Sequence, residues 1–165
     1  MQRSMRRQFF SVCLFLVVVA AYASLFRQGV VSGDSMEPTY HSGQALLVLR
    51  RHGFSPLPKR GDVVVLRKDR DTIIKRVAYL PGDIITNESV IAPTFNNNLD
   101  DFYEQTPPSD KHHNATLIVP AGYIVVLGDN RAISYDSRSF GPVSLKDVLG
   151  SVVAAPSGPP DIGAP

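Results

Sequence analysis

The sequence predicts a mainly β domain behind one N-terminal transmembrane helix, with a single short helix near the C-terminal end. Three observations carry this prediction. An uncharged apolar run, Phe9–Phe26, follows a basic start. Short β-branched runs, punctuated by Gly, Pro and Asp, recur along the rest of the chain. After Phe26 no long stretch shows helical periodicity.

The first element is the apolar run itself. Its 18 residues, at the rise of an α-helix, span ~27 Å, close to the ~30 Å of a bilayer's hydrocarbon core. Arg3, Arg6 and Arg7 precede it, and only Arg27 follows closely. This bias places residues 1–8 in the cytoplasm, 9–26 in the membrane and the remainder outside the cytoplasm. A cleavable secretory signal is the other reading, because Ala21-Tyr22-Ala23 is a small-x-small site that would leave Ser24 as the mature start. Both readings export the domain, and they differ on whether it stays anchored.

Arg27–Gly33 reads as a short linker. Strands are expected at Ala45–Leu49, Val63–Leu66, Thr72–Val77 and Tyr123–Leu127, with weaker candidates at Ile84–Ile85, Leu117–Val119 and Val152–Val153. The short helix is expected at Ser144–Leu149, capped by Ser144 and closed by Gly150. Asn87–Ala115 is a polar excursion from the sheet, and the Pro-rich 155–165 is expected to be a disordered tail. One exported domain, 27–154, remains, with an insertion at 87–115.

Composition narrows the function. Among 165 residues the formal net charge is +2 and no basic tract suits nucleic acid. The lone cysteine, Cys13, lies in the apolar run, so neither a disulfide framework nor a Cys-based metal site can be built. His112-His113 in the polar excursion reads as a solvated pair, and no metal or cofactor is expected. Asn87-Glu88-Ser89 and Asn114-Ala115-Thr116 fit glycosylation acceptors, a pattern too short to carry a function by itself.

Three stretches are chemically dense. In Gly33-Asp34-Ser35-Met36-Glu37-Pro38-Thr39, a glycine that tolerates unusual dihedrals and a proline that restricts its neighbour flank a serine. Such a turn could aim both the Ser35 hydroxyl and its N–H at a bound peptide. Asp34 and Glu37 flank Ser35 and are expected to be exposed, with no part in proton transfer. In Thr72-Ile73-Ile74-Lys75-Arg76-Val77, strand alternation puts Lys75 on one face with Ile73 and Val77. If that face is buried, Lys75 must find a partner or lose its proton. A neutral amine can take a serine proton and return it to a leaving group. The third stretch, Gly128 to Arg138, is a polar loop in which Asp136 and Arg138 could pair. Read singly, each stretch is more often structural than catalytic: a serine in a Gly/Pro turn, a lysine on a sheet edge with its head in water, and a polar turn.

Together, in this order behind an apolar N-terminus, the stretches resemble the boxes of bacterial type I signal peptidases. Gly61-Asp62-Val63 is similar to the strand between the first two boxes, and Leu80-Pro81-Gly82-Asp83 extends the second. The resemblance implies a folded antiparallel β-sheet domain, a membrane-anchored serine endopeptidase, and cleavage of exported preproteins after small-x-small sites. It implies Ser35 as nucleophile and Lys75 as general base, with Ser134 orienting the Lys75 amine. Asp136 and Arg138 would form a supporting ion pair, with Asp129 structural. The Ser35 N–H would serve the oxyanion. Gly33 stands where many Gram-negative members have a serine, so the second donor stays open. Gly33, Asp34, Met36, Ile73 and Ile74 would border the bound signal peptide, which could add as a strand beside Val31–Asp34 and Asp71–Ile74. The implied partners are signal peptides and the bilayer, without nucleic acid, around a monomer. Rival readings are a Ser/Lys pilus-maturation peptidase, a self-cleaving SOS-type repressor, an organellar inner-membrane peptidase, and a non-catalytic anchored binding domain on the same fold. The apolar N-terminus and the lack of a DNA-binding region speak against the repressor.

Overall fold

A computed structural model describes residues 2–52, 55–85 and 117–155. The polar excursion 87–115, both glycosylation triplets, His112-His113 and nearly all of the tail lie outside the described residues.

Helix α1 spans Gln2–Leu25. Its stretch Arg6–Leu25 is long and apolar enough to cross a membrane. Phe9 and Phe10 are 72% and 73% exposed, so these rings do not pack on the domain. The strands are β1 (Phe26–Val30), β2 (Ala45–Arg50), β3 (Val63–Lys68), β4 (Asp71–Tyr79), β5 (Ile84–Ile85), β6 (Leu117–Ile118), β7 (Tyr123–Leu127), β8 (Val143–Ser144) and β9 (Val148–Ala154). Seven of them form one sheet in the order β1-β2-β9-β3-β4-β7-β8, and β5 pairs with β6. Every pairing is antiparallel.

Alternation along β3 explains how this sheet is covered on both faces. Val64 and Leu66 join a core with Val77, Ile124, Val126, Val143 and Val148, whereas Val65 packs against Val31, Leu46 and Val48. The same period on β4 sends Ile73 to the first core and Ile74 to the second.

Two expectations are corrected. The stretch read as a linker is a strand from Phe26: β1 pairs along β2 from Phe26–Leu49 to Val30–Ala45. Arg-Gln-Gly has no strand signature of its own, and the ladder comes from a segment some twenty residues away. The helix expected at Ser144–Leu149 shrinks to one 3-10 turn, Leu145–Asp147. Ser144 does cap it, accepting from the Lys146 N–H at 3.3 Å. Val148 then enters β9, and Gly150, expected to close a helix, sits in mid-strand opposite Arg50. A Cβ there would collide with the Leu49 carbonyl oxygen of β2, so close strand approach explains this glycine. The short helix of this region lies earlier, as α2 (Ser137–Phe140), with Asp136 as its cap and Gly141 beyond its end at φ +81°.

Candidate active site

The loop between β1 and β2 carries Ser35. Its base is stapled by Val31 and Gln44, whose N–H to carbonyl bond is 2.9 Å, and by the Gly43 N–H to Val31 carbonyl bond, also 2.9 Å. Gly33 adopts φ +85°, in the region that costs a side-chain-bearing residue and not glycine. A turn over residues 35–39 follows, and the Glu37–Pro38 peptide is cis. Met36 is fully buried, so its side chain anchors the turn and offers no surface to a peptide. That corrects its expected place among peptide-binding side chains: a long thioether beside the nucleophile fills the core. Asp34 is exposed and Glu37 half-buried, with its carboxylate 3.3 Å from His41 Nδ1.

Strand β4 brings Lys75 opposite Val64 of β3, among buried valines. Lys75 is only 4% exposed, and its Nζ lies 2.7 Å from Ser35 Oγ. No carboxylate pairs with Nζ among the described residues. Burial pushes the Lys75 amine below its ordinary range, while the charge of Asp136 opposes that shift.

The third stretch braces the other two. Arg76, next to Lys75, forms a bidentate pair with Asp129, with Nε–Oδ1 at 2.8 Å and Nη2–Oδ2 at 2.6 Å. Asp129 also accepts from Thr39 Oγ1 at 2.6 Å, which ties the end of the serine turn to β4. The Asn130 N–H donates to the Ser35 carbonyl at 3.1 Å. The hydrogen bond from Arg76 holds Asp129 below the usual carboxylate range, against the opposing pull of its partial burial.

Asp136 and Arg138 pair as expected, through Nε–Oδ1 at 2.9 Å and Nη2–Oδ2 at 3.0 Å. Asp136 has no exposed surface and also accepts from the backbone N–H of Gly128 and of Arg138. Burial pushes this carboxyl up, but those donors outweigh it and hold it below its ordinary range.

Ser134 is close enough to favour the charged form of Asp136, yet its buried hydroxyl meets no partner in hydrogen-bond geometry. Its expected bond to the Lys75 amine is therefore not among the contacts of this structure. Gly128 is where the chain passes closest: a Cβ there would strike the Ser134 hydroxyl and the Ser35 carbonyl oxygen.

Sequence reasoning missed the bridging roles of Arg76, Thr39 and Asn130. It also missed α2, although Asp136-Ser137-Arg138-Ser139-Phe140-Gly141 carries both a capping aspartate and a terminating glycine.

A cavity of about 530 Å³ opens beside the Ser35–Lys75 pair. Val31, Leu46, Val48, Val65 and Ile74 give it an apolar floor, and Ile73 and Thr72 of β4 border it. Gly33 and Asp34 are not part of its lining. On the side away from β3, β4 pairs with β7 only at Arg76, Val77 and Tyr79. The backbone of Asp71–Lys75 therefore has no strand neighbour on that side among the described residues.

The sequence matches the family model described as signal peptidase, peptidase S26, over residues 4–155. It is 34% identical over 159 residues to signal peptidase I of Bacillus caldolyticus, covering 87% of this chain and 85% of that one. It is 32% identical over 155 residues to mitochondrial inner membrane protease subunit 1 of Schizosaccharomyces pombe, covering 88% and 85%. A crystal structure of a signal peptidase I from Enterococcus faecalis matches with a TM-score of 0.37 at 26% identity, over 57% of this chain and 95% of that one. The extent of the family match, together with the identity and coverage of the two sequence relatives, shows that the chain is a serine peptidase belonging to the signal peptidase family, peptidase S26.

Proposed function

We propose that the protein removes N-terminal signal peptides from exported preproteins, with Ser35 as nucleophile and Lys75 as general base. The observation that carries this reading is the 2.7 Å separation of Ser35 Oγ and Lys75 Nζ at a buried lysine with a lowered pKa. The neutral amine takes the hydroxyl proton as Ser35 Oγ bonds to the scissile carbonyl carbon, and the lysinium returns it to the leaving amine. Lys75 then deprotonates a water that attacks the acyl-enzyme, and Ser35 leaves with its proton restored. The Ser35 N–H donates to the oxyanion, and the second donor is a main-chain group or water, since Gly33 has no side chain. Ser134, whose hydroxyl is buried beside Gly128, orients the Lys75 amine.

The peptide binds extended along the unpaired edge of Asp71–Ile74, opposite Val31–Ser32. Alternate side chains meet the apolar floor, which suits alanine-sized residues at small-x-small sites. The extracytoplasmic peptidase domain is 27–154, and α1 is retained as an anchor with its N-terminus in the cytoplasm, which fits the arginines at positions 3, 6 and 7. The test is cleavage of a purified preprotein with the cut site mapped and Ser35→Ala as control. A cut elsewhere than after a small-x-small site, or equal activity of the control, would sink the reading.

The fission-yeast mitochondrial relative, nearly as similar as the bacterial one, favours an organellar inner-membrane peptidase as the second reading. Its chemistry is the same, and assaying bacterial against mitochondrial precursors separates the two.

Two further expectations follow. The membrane-bound protein should retain α1, so its N-terminal sequence should begin upstream of Arg6; a start at Ser24 would convert α1 into a cleaved signal. Gly128→Ala should move Ser35 away from Lys75, because neither the Ser134 side chain nor the Ser35 backbone leaves space for the added methyl. We expect a loss in turnover of about 10²-fold from misplacement on the ångström scale, with destabilisation of about 1–3 kcal/mol. Turnover and denaturant midpoint, measured on the same preparation, check both.

A further inference from the structure

The part of the groove bordered by β1 and the end of β2 is cationic. Arg27, Arg50, Arg51 and His52 line the same cavity as Ser35 and Lys75, and no Asp or Glu does. Among the described residues none of these three arginines has an ion-pair partner. One guanidinium nitrogen of Arg51 is buried without a hydrogen-bond partner.

The topology explains why they converge. β1 starts at Phe26, directly after α1 ends at Leu25. β2 runs antiparallel to it, with Leu49 opposite Phe26, so Arg50-Arg51-His52 continue past the point where α1 leaves the sheet. The Arg51 N–H to Leu149 carbonyl bond, at 2.9 Å, fixes this segment against β9. The turn between β3 and β4 projects at the same end, adding Arg67 and Arg70 against Asp69 and Asp71, with Asp69 paired to Lys68. Three strands, β9, β3 and β4, are stepped across from Arg50 to the strand that carries Lys75, so the cations and the reacting pair border one cavity from different strands.

We propose that Arg27, Arg50, Arg51 and His52 form a lipid-headgroup site that binds phosphates of anionic phospholipids and seats the mouth of the groove on the bilayer. The inference rests on α1 being a retained membrane span, because that span brings this end of the sheet to the headgroup layer. Guanidinium groups pair bidentately with phosphate oxygens, and a carboxylate-free cluster placed at the exit of a membrane helix is the arrangement such headgroups fit. A peptide emerging from the bilayer then enters the groove without crossing bulk water. An acidic substrate segment is the alternative ligand, and the experiment separates it.

The full-length protein is placed in nanodiscs of phosphatidylcholine alone or with about one-third phosphatidylglycerol. Backbone hydrogen exchange is followed over residues 26–31 and 46–52, and turnover is followed on a preprotein embedded in the same disc. We expect slower exchange there with phosphatidylglycerol. We also expect an anionic-to-zwitterionic turnover ratio of about five or more, the effect of roughly one arginine at a charged surface. In the Arg50→Gln/Arg51→Gln double variant both effects should fall to a ratio near one, and Arg50→Lys/Arg51→Lys should recover most of them. Unchanged exchange in β7, Tyr123–Leu127, which lies outside this cavity, checks that the fold is intact. No lipid dependence in the wild type, or the same dependence in the double variant, overturns the proposal. So does a defect confined to substrates with acidic residues, seen equally in both discs. The exchange measurement needs no turnover, so a lipid effect without cleavage would count against the peptidase reading alone.

Discussion

Replacing Lys75 with methionine is expected to abolish preprotein cleavage while making the folded domain more stable at neutral pH. The two effects have one cause. Lys75 is buried opposite Val64, and burial lowers its pKa. Only the neutral amine can accept the Ser35 proton, and methionine can accept none. Loss of a group that acts as a unit with the nucleophile costs about 10⁴-fold or more in turnover.

For stability the sign runs the other way. The unfolded lysine titrates near ~10.4, and the folded one below that. At pH values under the folded pKa, folding must bury a cation that the unfolded chain keeps in water, so the wild type carries the full penalty. The penalty shrinks as pH rises through the folded pKa and vanishes above the unfolded one. The methionine variant, which fills similar volume with an apolar chain, should thus exceed the wild type in denaturant midpoint near pH 7, and the gap should close toward pH 11. Ser35→Ala should match the loss of activity without the gain in stability. A wild-type rate that stays flat through the pH range where the amine deprotonates, or a methionine variant less stable than wild type at pH 7, contradicts the assignment of Lys75 as a buried neutral base.

How much of this was legible in the sequence depends on whether the signal was local. The strand Tyr123–Leu127 was read with its bounds, because β-branched residues between Gly122 and Gly128 are a local pattern. Lys75 was placed correctly by alternation with Ile73 and Val77, which needs only the period of a strand. β1 was not legible, since Phe26–Val30 becomes a strand only through its ladder with β2. The same limit hid the brace around the site. Arg76 reaches Asp129 and Thr39 across dozens of residues, and no spacing announces such a contact. The pair Asp136–Arg138 was legible because its partners are two apart. Its depth was not: a carboxylate without exposed surface, accepting four hydrogen bonds, is a property of packing.

That depth makes Asp136→Asn the sharpest separate test of the electrostatics. Asparagine keeps the shape but turns one acceptor into a donor, facing either the Gly128 N–H or Arg138. The buried donors lose their anion, and the α2 cap is weakened. We expect a loss of about 3 kcal/mol in unfolding free energy at pH 7, near the lower end for breaking a buried pair, because Arg138 is partly exposed and can recover water. The folded Asp136 pKa lies below the unfolded value near ~3.9, so the stability it contributes is complete above that value. It is lost as pH falls through the folded pKa. The deficit of the variant should accordingly be constant at neutral pH and shrink in strong acid.

The kinetic signature is independent of this loss. The Asp136 charge favours the protonated form of Lys75, opposing burial. Removing it lowers the Lys75 pKa further, so the rising limb of the rate profile should shift to lower pH in whatever fraction remains folded. Asp129→Asn also weakens the brace but removes a charge that is paired with Arg76, whereas the charge acting on Lys75 is that of Asp136. The Asp129 variant should cost stability without moving the limb. If both variants leave the limb in place, Asp136 supports the fold alone; if both move it, Lys75 responds to the integrity of the brace and not to the charge beside it.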